Sequence, residues 1–188
     1  MKKSSSILIA IGIIIAIVAM MLISSYNGLV SKAEEVDNKF SAIDTQLQRR
    51  ADLIPNLVNT VKGYASHEQS VIDSITEARA KLSGATTVAE KSEADQELTS
   101  ALNRLMVVVE NYPDLKANEN FTQLMDELSG TENRIAVARK DYNDAVKVYN
   151  LKVKRFPGNI MAGMFGFEAK DYFEAAEGSK EAPNVNFE

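Results

Sequence analysis

The feature that most constrains this fold is an apolar stripe with a proline inside it. Leu29, Ala33, Val36, Phe40, Ile43, Leu47, Ala51, Ile54, Val58, Val61 and Ala65 follow one another at steps of three or four residues. That spacing puts them on one face of a helix, and it does not suit a strand. Pro55 stands in the stripe, within "RRADLIPNLV". A proline in a helix interior lacks an N–H and clashes with the carbonyl four residues back, at a cost of about 3 kcal/mol. Cap chemistry offers a way out. If Asp52 caps a new helix, Pro55 falls in its first turn, where backbone N–H groups have no intrahelical partner. Two helices sharing one core, with a boundary at 50–53, are therefore expected. The alternative is one rod kinked at Pro55.

Upstream, Lys2 and Lys3 precede "ILIAIGIIIAIVAMMLI", Ile7 to Ile23, a run with no charged or polar side chain. It is at the short end of what crosses a hydrocarbon core of about 30 Å as a helix. A cleaved signal peptide has a shorter apolar region and a small-x-small cleavage site. Here Ser24, Ser25 and Tyr26 follow without such a site, and the chain has no cysteine for a lipoprotein anchor. A retained transmembrane signal anchor over 7–25 is expected, after a short cytoplasmic segment 1–6. Lys2 and Lys3 favour an inside amino terminus and an extracytoplasmic soluble part. Lys32 and Lys39 make that bias slight.

Between residues 26 and 156 glycine occurs only at 28, 63, 84 and 130, and proline only at 55 and 113. No stretch alternates with a period of two, so strands are not expected. Gly84 reads as a helix stop, and Thr87 with Glu90 as a capping box for the next helix. Pro113 ends a helix near Asn111, and Asn118 is a candidate N-cap. A second stripe runs Phe121, Leu124, Leu128, Ile135, Ala138, Tyr142, Ala145, Tyr149, up to the stop at "RFPGN". Gly130 is a candidate break within it. The expected fold is all-α: the anchor, then an antiparallel up-and-down four-helix bundle with helices at about 26–50, 53–82, 88–110 and 118–156. The tail 157–188 begins apolar, in "NIMAGMFGFEAKDYF". That piece either lies in the membrane interface or covers the base of the core. The final "EGSKEAPNVNFE" reads as disordered.

Only Lys2 and Lys3 of the 21 basic residues precede the apolar run, while all 26 acidic residues follow it. An acidic domain with no basic stripe lacks the footprint of a nucleic-acid binder. Ser66-His67-Glu68 contains the residue types of a hydrolase, but consecutive helical positions diverge and a triad must converge. His67 is the only histidine, so a surface or cap position is expected for it. One histidine and no Glu-x-x-His pair exclude a di-iron site, a single histidine without cysteine speaks against zinc, and no phosphate-binding loop or EF-hand pattern occurs. No catalytic residue, cofactor or metal is expected.

Glu132, Arg139 and Asn143 share a helix face, and Arg49 and Arg50 could meet acidic partners from neighbouring helices. Interhelical ion pairs fixing register are the plainer account, and a polar binding patch is the functional one. With a turn at 50–53 facing the turn at 111–118, the membrane-distal tip would gather Arg49, Arg50, Asp52 and Asn56 with Tyr112, Asp114 and Asn118. That tip is the candidate partner-binding site, since loops on a rigid scaffold often carry function.

The stretches "YNGLV", "QRRADLIPNLVNTVKGYASHE", "ENYPDLKANENF" and "LSGTENRIAVARKDYNDAVKVYN" closely resemble the LemA family of bacterial membrane-anchored proteins. The resemblance covers nearly the whole chain, with Phe40 where relatives tend to carry tryptophan. It implies one amino-terminal transmembrane helix followed by an antiparallel four-helix bundle, and it supplies no catalytic residue. Two functions compete. One is a non-enzymatic scaffold or interaction module of the cell envelope, with protein partners there. The other is a regulatory or sensory subunit that binds a small ligand between helices and signals to a membrane partner.

Overall fold

The computed structural model describes residues 2–65 and 67–174, with side chains from residue 7 onward. Among them are six helices and no strand: α1 Lys2–Tyr64, α2 Gln69–Gly84, α3 Val88–Val109, α4 Pro113–Lys116, α5 Glu119–Lys154 and α6 Gly158–Phe165. The protein is all-α. The chain forms two compact units, one from the segment up to Lys39 with Tyr142–Lys170, the other from Phe40–Asp141 with the segment from Asp171. The expected disordered stretch "EGSKEAPNVNFE" lies outside the described residues.

In the first unit, the amino-terminal part of α1 is apolar and uncovered. Leu8 is 67% and Met20 71% exposed. By length and composition this segment can cross a membrane, and none of its apolar window is buried inside the protein. Further along, Leu29 and Val36 of α1 are buried, as are Val146 and Tyr149 of α5 and Met161 and Ala162 of α6. The turn between α5 and α6 needs Gly158, because a Cβ there would lie 2.1 Å from the Lys152 carbonyl oxygen. Gly166, at φ 75°, ends α6 in the left-handed region that glycine enters freely. The backbone of Lys170 is then tied to α5 by both ends of the Asn150 amide, at 2.8 and 2.9 Å. Tyr26 meets the rings of Phe165 and Phe167 at centroid distances of 4.8 and 5.8 Å. The apolar piece after "RFPGN" thus does two things: Met161 and Ala162 are buried, while Ile160, Met164 and Phe165 stay exposed.

In the second unit, the expected helix boundary at 50–53 is absent, and α1 passes through Pro55 without a break. Asp52 caps nothing; its carboxylate accepts a hydrogen bond from the Gln48 amide one turn back, at 2.8 Å. What makes Pro55 tolerable is its exposure and a substitute donor from α2. Its ring is exposed, and the missing N–H would have bonded the carbonyl of Ala51. That carbonyl accepts instead from Nε of Arg79 on α2, at 2.8 Å. The chain turns later, between Tyr64 and Gln69, where the Glu68 N–H donates to the Ala65 carbonyl at 3.1 Å. His67 sits exposed in that turn, as expected for a surface residue.

Other signals hold. The Thr87–Glu90 capping box is formed, and Asn118 Oδ1 accepts the Phe121 N–H at 3.0 Å. Pro113 opens α4, a single turn between α3 and α5. Gly130 does not interrupt α5. The stripe carries through: Ile43, Leu47, Ile54, Leu128 and Ile135 are buried, and in α3 Leu98 and Leu105 join them.

Candidate functional site

The densest polar chemistry of the described residues lies inside the second unit. Leu98, Leu102, Leu105 and Val109 form the buried seam of α3, and the same spacing three residues earlier falls on Asp95. On α1, Arg50 falls between Leu47 and Ile54 in the same way. Helix geometry therefore drives a carboxylate and a guanidinium into the interior, where each needs a partner. Asp95 is 0% and Arg50 1% exposed. Arg50 donates through an η nitrogen to Asp95 Oδ1 at 2.6 Å, and Arg139 of α5 pairs with Asp95 Oδ2. Glu132 lies 3.6 Å from Arg50, so the cluster holds two positive and two negative charges.

Burial pushes the Arg50 guanidinium below its ordinary value, with Glu132 pulling it back. Arg139 is lowered by burial first and then by Arg50. The Arg139 guanidinium lies over the Phe173 ring at 4.9 Å, a cation–π contact. The Nε of each arginine is buried without a hydrogen-bond partner among the described residues. Ser92, one turn before Asp95, donates to the Glu174 carbonyl at 2.9 Å.

The Arg50–Asp95 pair is buried between the helices, with Arg139 partly exposed and Glu132 exposed at its edge, and such an arrangement can hold register. The expected interhelical ion pairing of Arg50, Glu132 and Arg139 is therefore present, around an acid that sequence reasoning did not single out. The signal was there: Asp95 is a charged residue on an otherwise apolar seam.

The seven residues assigned to one tip are not brought together. Arg50 is buried in the cluster. Arg49 lies 3.8 Å from Glu127 of α5, and Asp52 is bonded to Gln48. Asn56 lies on α1, where its carbonyl accepts from Thr60 at 2.9 Å. Tyr112 donates its hydroxyl to Glu68 at 2.8 Å, and Asn118 donates to the Tyr64 hydroxyl at 3.0 Å. Asp114 is exposed in the first turn of α4. The loop at 111–118 does meet a turn after α1, but the turn is at 65–68. Along α1, residues 50 and 64 are roughly 21 Å apart at 1.5 Å per residue, so the continuous helix itself separates the two halves of the expected tip. Hydrogen bonding to Glu68 and burial raise the Tyr112 phenol above its usual value. Among the described residues no group of three or more His, Cys, Asp or Glu side chains is arranged to hold a metal.

These features define a class: an all-α, membrane-associated protein with an ion-pair cluster between its helices. The LemA family model matches residues 39–187, and the chain belongs to the LemA family. It is 29% identical over 187 residues to magnetosome protein MamQ 2 of Paramagnetospirillum magneticum, covering 86% of this chain and 68% of that protein. MamQ of Magnetospirillum gryphiswaldense is 28% identical over 178 residues, covering 81% and 65%. Protein LemA of Metamycoplasma hominis is 29% identical over 168 residues, covering 87% and 75%.

Proposed function

We propose that this chain is a non-enzymatic, single-pass membrane-anchored helical protein that acts as an interaction or scaffolding module of the cell envelope. Residues 7–25 form the anchor. Residues 26–156 form the bundle, outside the cytoplasm. The observation that carries this reading is the Arg50–Asp95–Arg139–Glu132 cluster, with its Arg50–Asp95 pair buried between helices. The buried Arg50–Asp95 pair and the partly buried Arg139 serve helix register, where an enzyme would present such groups to a substrate. Partner contacts are then left to exterior faces, where Val107 is 71% and Val137 63% exposed. Side-chain bonds from α1 to α2 and to α3, and from α5 to α3, favour a bundle in the second unit. The names of the relatives in magnetic bacteria refer to the magnetosome and to no reaction.

Crosslinking in intact cells, followed by identification of captured proteins, tests the reading. A specific set of envelope proteins is expected. Capture of no specific partner, together with protection of the purified chain by a small molecule, overturns it in favour of a ligand-binding regulatory subunit. The chain has no native cysteine, so one introduced at Gly84 reports topology cleanly. Labelling of intact cells by a membrane-impermeant reagent is expected, and labelling only after lysis reverses the assigned orientation.

A further inference from the structure

The first unit holds an open cleft of about 560 Å³ just beyond the apolar run. Its lining changes character along its length. Met21 and Leu151 supply an apolar wall, Ser24 and Ser25 stand where the apolar run stops, and Lys32, Lys152 and Arg155 supply cations. Phe156, also in the lining, is 75% exposed. Lys32 has a carboxylate partner, Glu35, at 2.5 Å. Lys152 and Arg155 form no ion pair among the described residues. Two unmatched cations in one cleft call for an anion.

Depth says which anion. The Lys152 ammonium sits against Gly28, so closely that a Cβ at that glycine would lie 2.0 Å from Nζ. Gly28 is five residues past Ile23, roughly 7.5 Å along α1 at 1.5 Å per residue. Headgroups extend roughly 5–7 Å beyond the hydrocarbon on each side. An ammonium beside Gly28 is therefore at the outer edge of the headgroup layer, where lipid phosphates lie. Met21 on the membrane side, hydroxyls and Arg155 at the boundary and Lys152 above match one amphiphile end to end.

We propose that this cleft binds an anionic phospholipid, its phosphate on Lys152 and Arg155 and the upper part of an acyl chain along Met21. The proposal rests on the reading of Ile7–Ile23 as a membrane span. Gly28 is then a specificity-determining position, because any side chain there displaces the Lys152 ammonium. The contact is with the flexible end of a lysine, so the helix itself tolerates the change.

The test uses the full chain, purified in detergent and stripped of lipid, then titrated with phosphatidylglycerol or phosphatidylcholine of identical acyl chains and read by native mass spectrometry. Basic residues at an anionic surface each strengthen attraction appreciably, so the wild type is expected to prefer phosphatidylglycerol by about tenfold or more. The double variant K152Q/R155Q brings the ratio to within about twofold, on the same basis. Gly28→Val, which removes no charge, also lowers it. Lys147→Gln, at an exposed lysine of α5 outside the cleft, leaves it unchanged. A wild-type ratio near unity, or an unchanged ratio in K152Q/R155Q, overturns the proposal. So does displacement of the lipid by inorganic phosphate, which would make the site one for the free anion. An alkaline carbonate wash of cell membranes separates the two levels: a chain that stays in the pellet but shows no preference sinks the cleft alone, whereas a released chain sinks both.

Discussion

Pro55 and Arg79 are coupled through one carbonyl oxygen, and that coupling can be measured. In the wild type, Ala51 C=O has lost its α-helical donor to the proline and accepts from Arg79 Nε at 2.8 Å. A hydrogen bond from a charged donor contributes about 1.5–3 kcal/mol when well buried. Arg79 is only half-buried, so Arg79→Met is expected to cost nearer about 1–2 kcal/mol. Pro55→Ala restores the N–H and removes the ring clash, which stabilises by up to about 3 kcal/mol less the unfolded-chain stiffness that proline supplied, about 0.4–1 kcal/mol. In the Pro55→Ala background the same carbonyl already has a donor. Arg79→Met then costs about 1 kcal/mol less than in the wild type, and this difference is the interaction energy of the cycle. Denaturant unfolding of the four proteins in detergent, followed by helical ellipticity, gives all the terms. Equal costs of Arg79→Met in both backgrounds would refute the compensation, leaving the helix through Pro55 to be explained by packing alone.

Two further outcomes follow from the charged groups. Asp95→Asn leaves the buried Arg50 and the partly exposed Arg139 against a neutral acceptor and is expected to destabilise by about 3–5 kcal/mol, while the joint change R50M/D95L/R139M falls near neutral, both read by thermal unfolding. At α3, the N–H groups of Thr86 and Thr87 donate to the Glu90 carboxylate and hold it at about 2, below its ordinary 4.5. A carboxyl with a depressed folded-state value stabilises fully above its unfolded value and loses that contribution as pH falls. Hydrogen-exchange protection of the Thr87 amide is therefore steady above about pH 4.5, falls toward pH 2, and is low throughout in Glu90→Ala.

What the sequence made legible was whatever short spacing governs. The stripe from Leu29 to Val61 predicted buried positions, and Val36, Ile43, Leu47, Ile54 and Val61 are buried. Thr87 with Glu90 and Asn118 with Phe121 are caps closed over three residues, so the residue types sufficed. Pro55 was misjudged for the converse reason. A cap at Asp52 was a local remedy for a lost donor, and the chain uses a remote one, a guanidinium 28 residues away. No window short enough to show helical period contains both residues. The displaced turn followed from this, and with it the candidate tip. Asp52 and Asn56 were placed at a helix end, but they lie in mid-helix, and Tyr112 and Asn118 bond to Glu68 and Tyr64 instead.

Asp95 and Arg50 fall between these cases. Each stands on an apolar seam at the spacing of its leucines, so spacing alone marks each as a buried charge. Which charge would meet which was not written in either helix. It depends on how far α1 runs before turning, and so on Pro55. Had the chain turned at 50–53, Arg50 would sit at a helix end with water as its partner, and Asp95 would lose one of its two cations. The uninterrupted helix is therefore what turns an apparent surface arginine into a buried member of the cluster. A proline kept in mid-helix by Arg79 and a carboxylate paired with Arg50 and Arg139 are two results of one choice of turn.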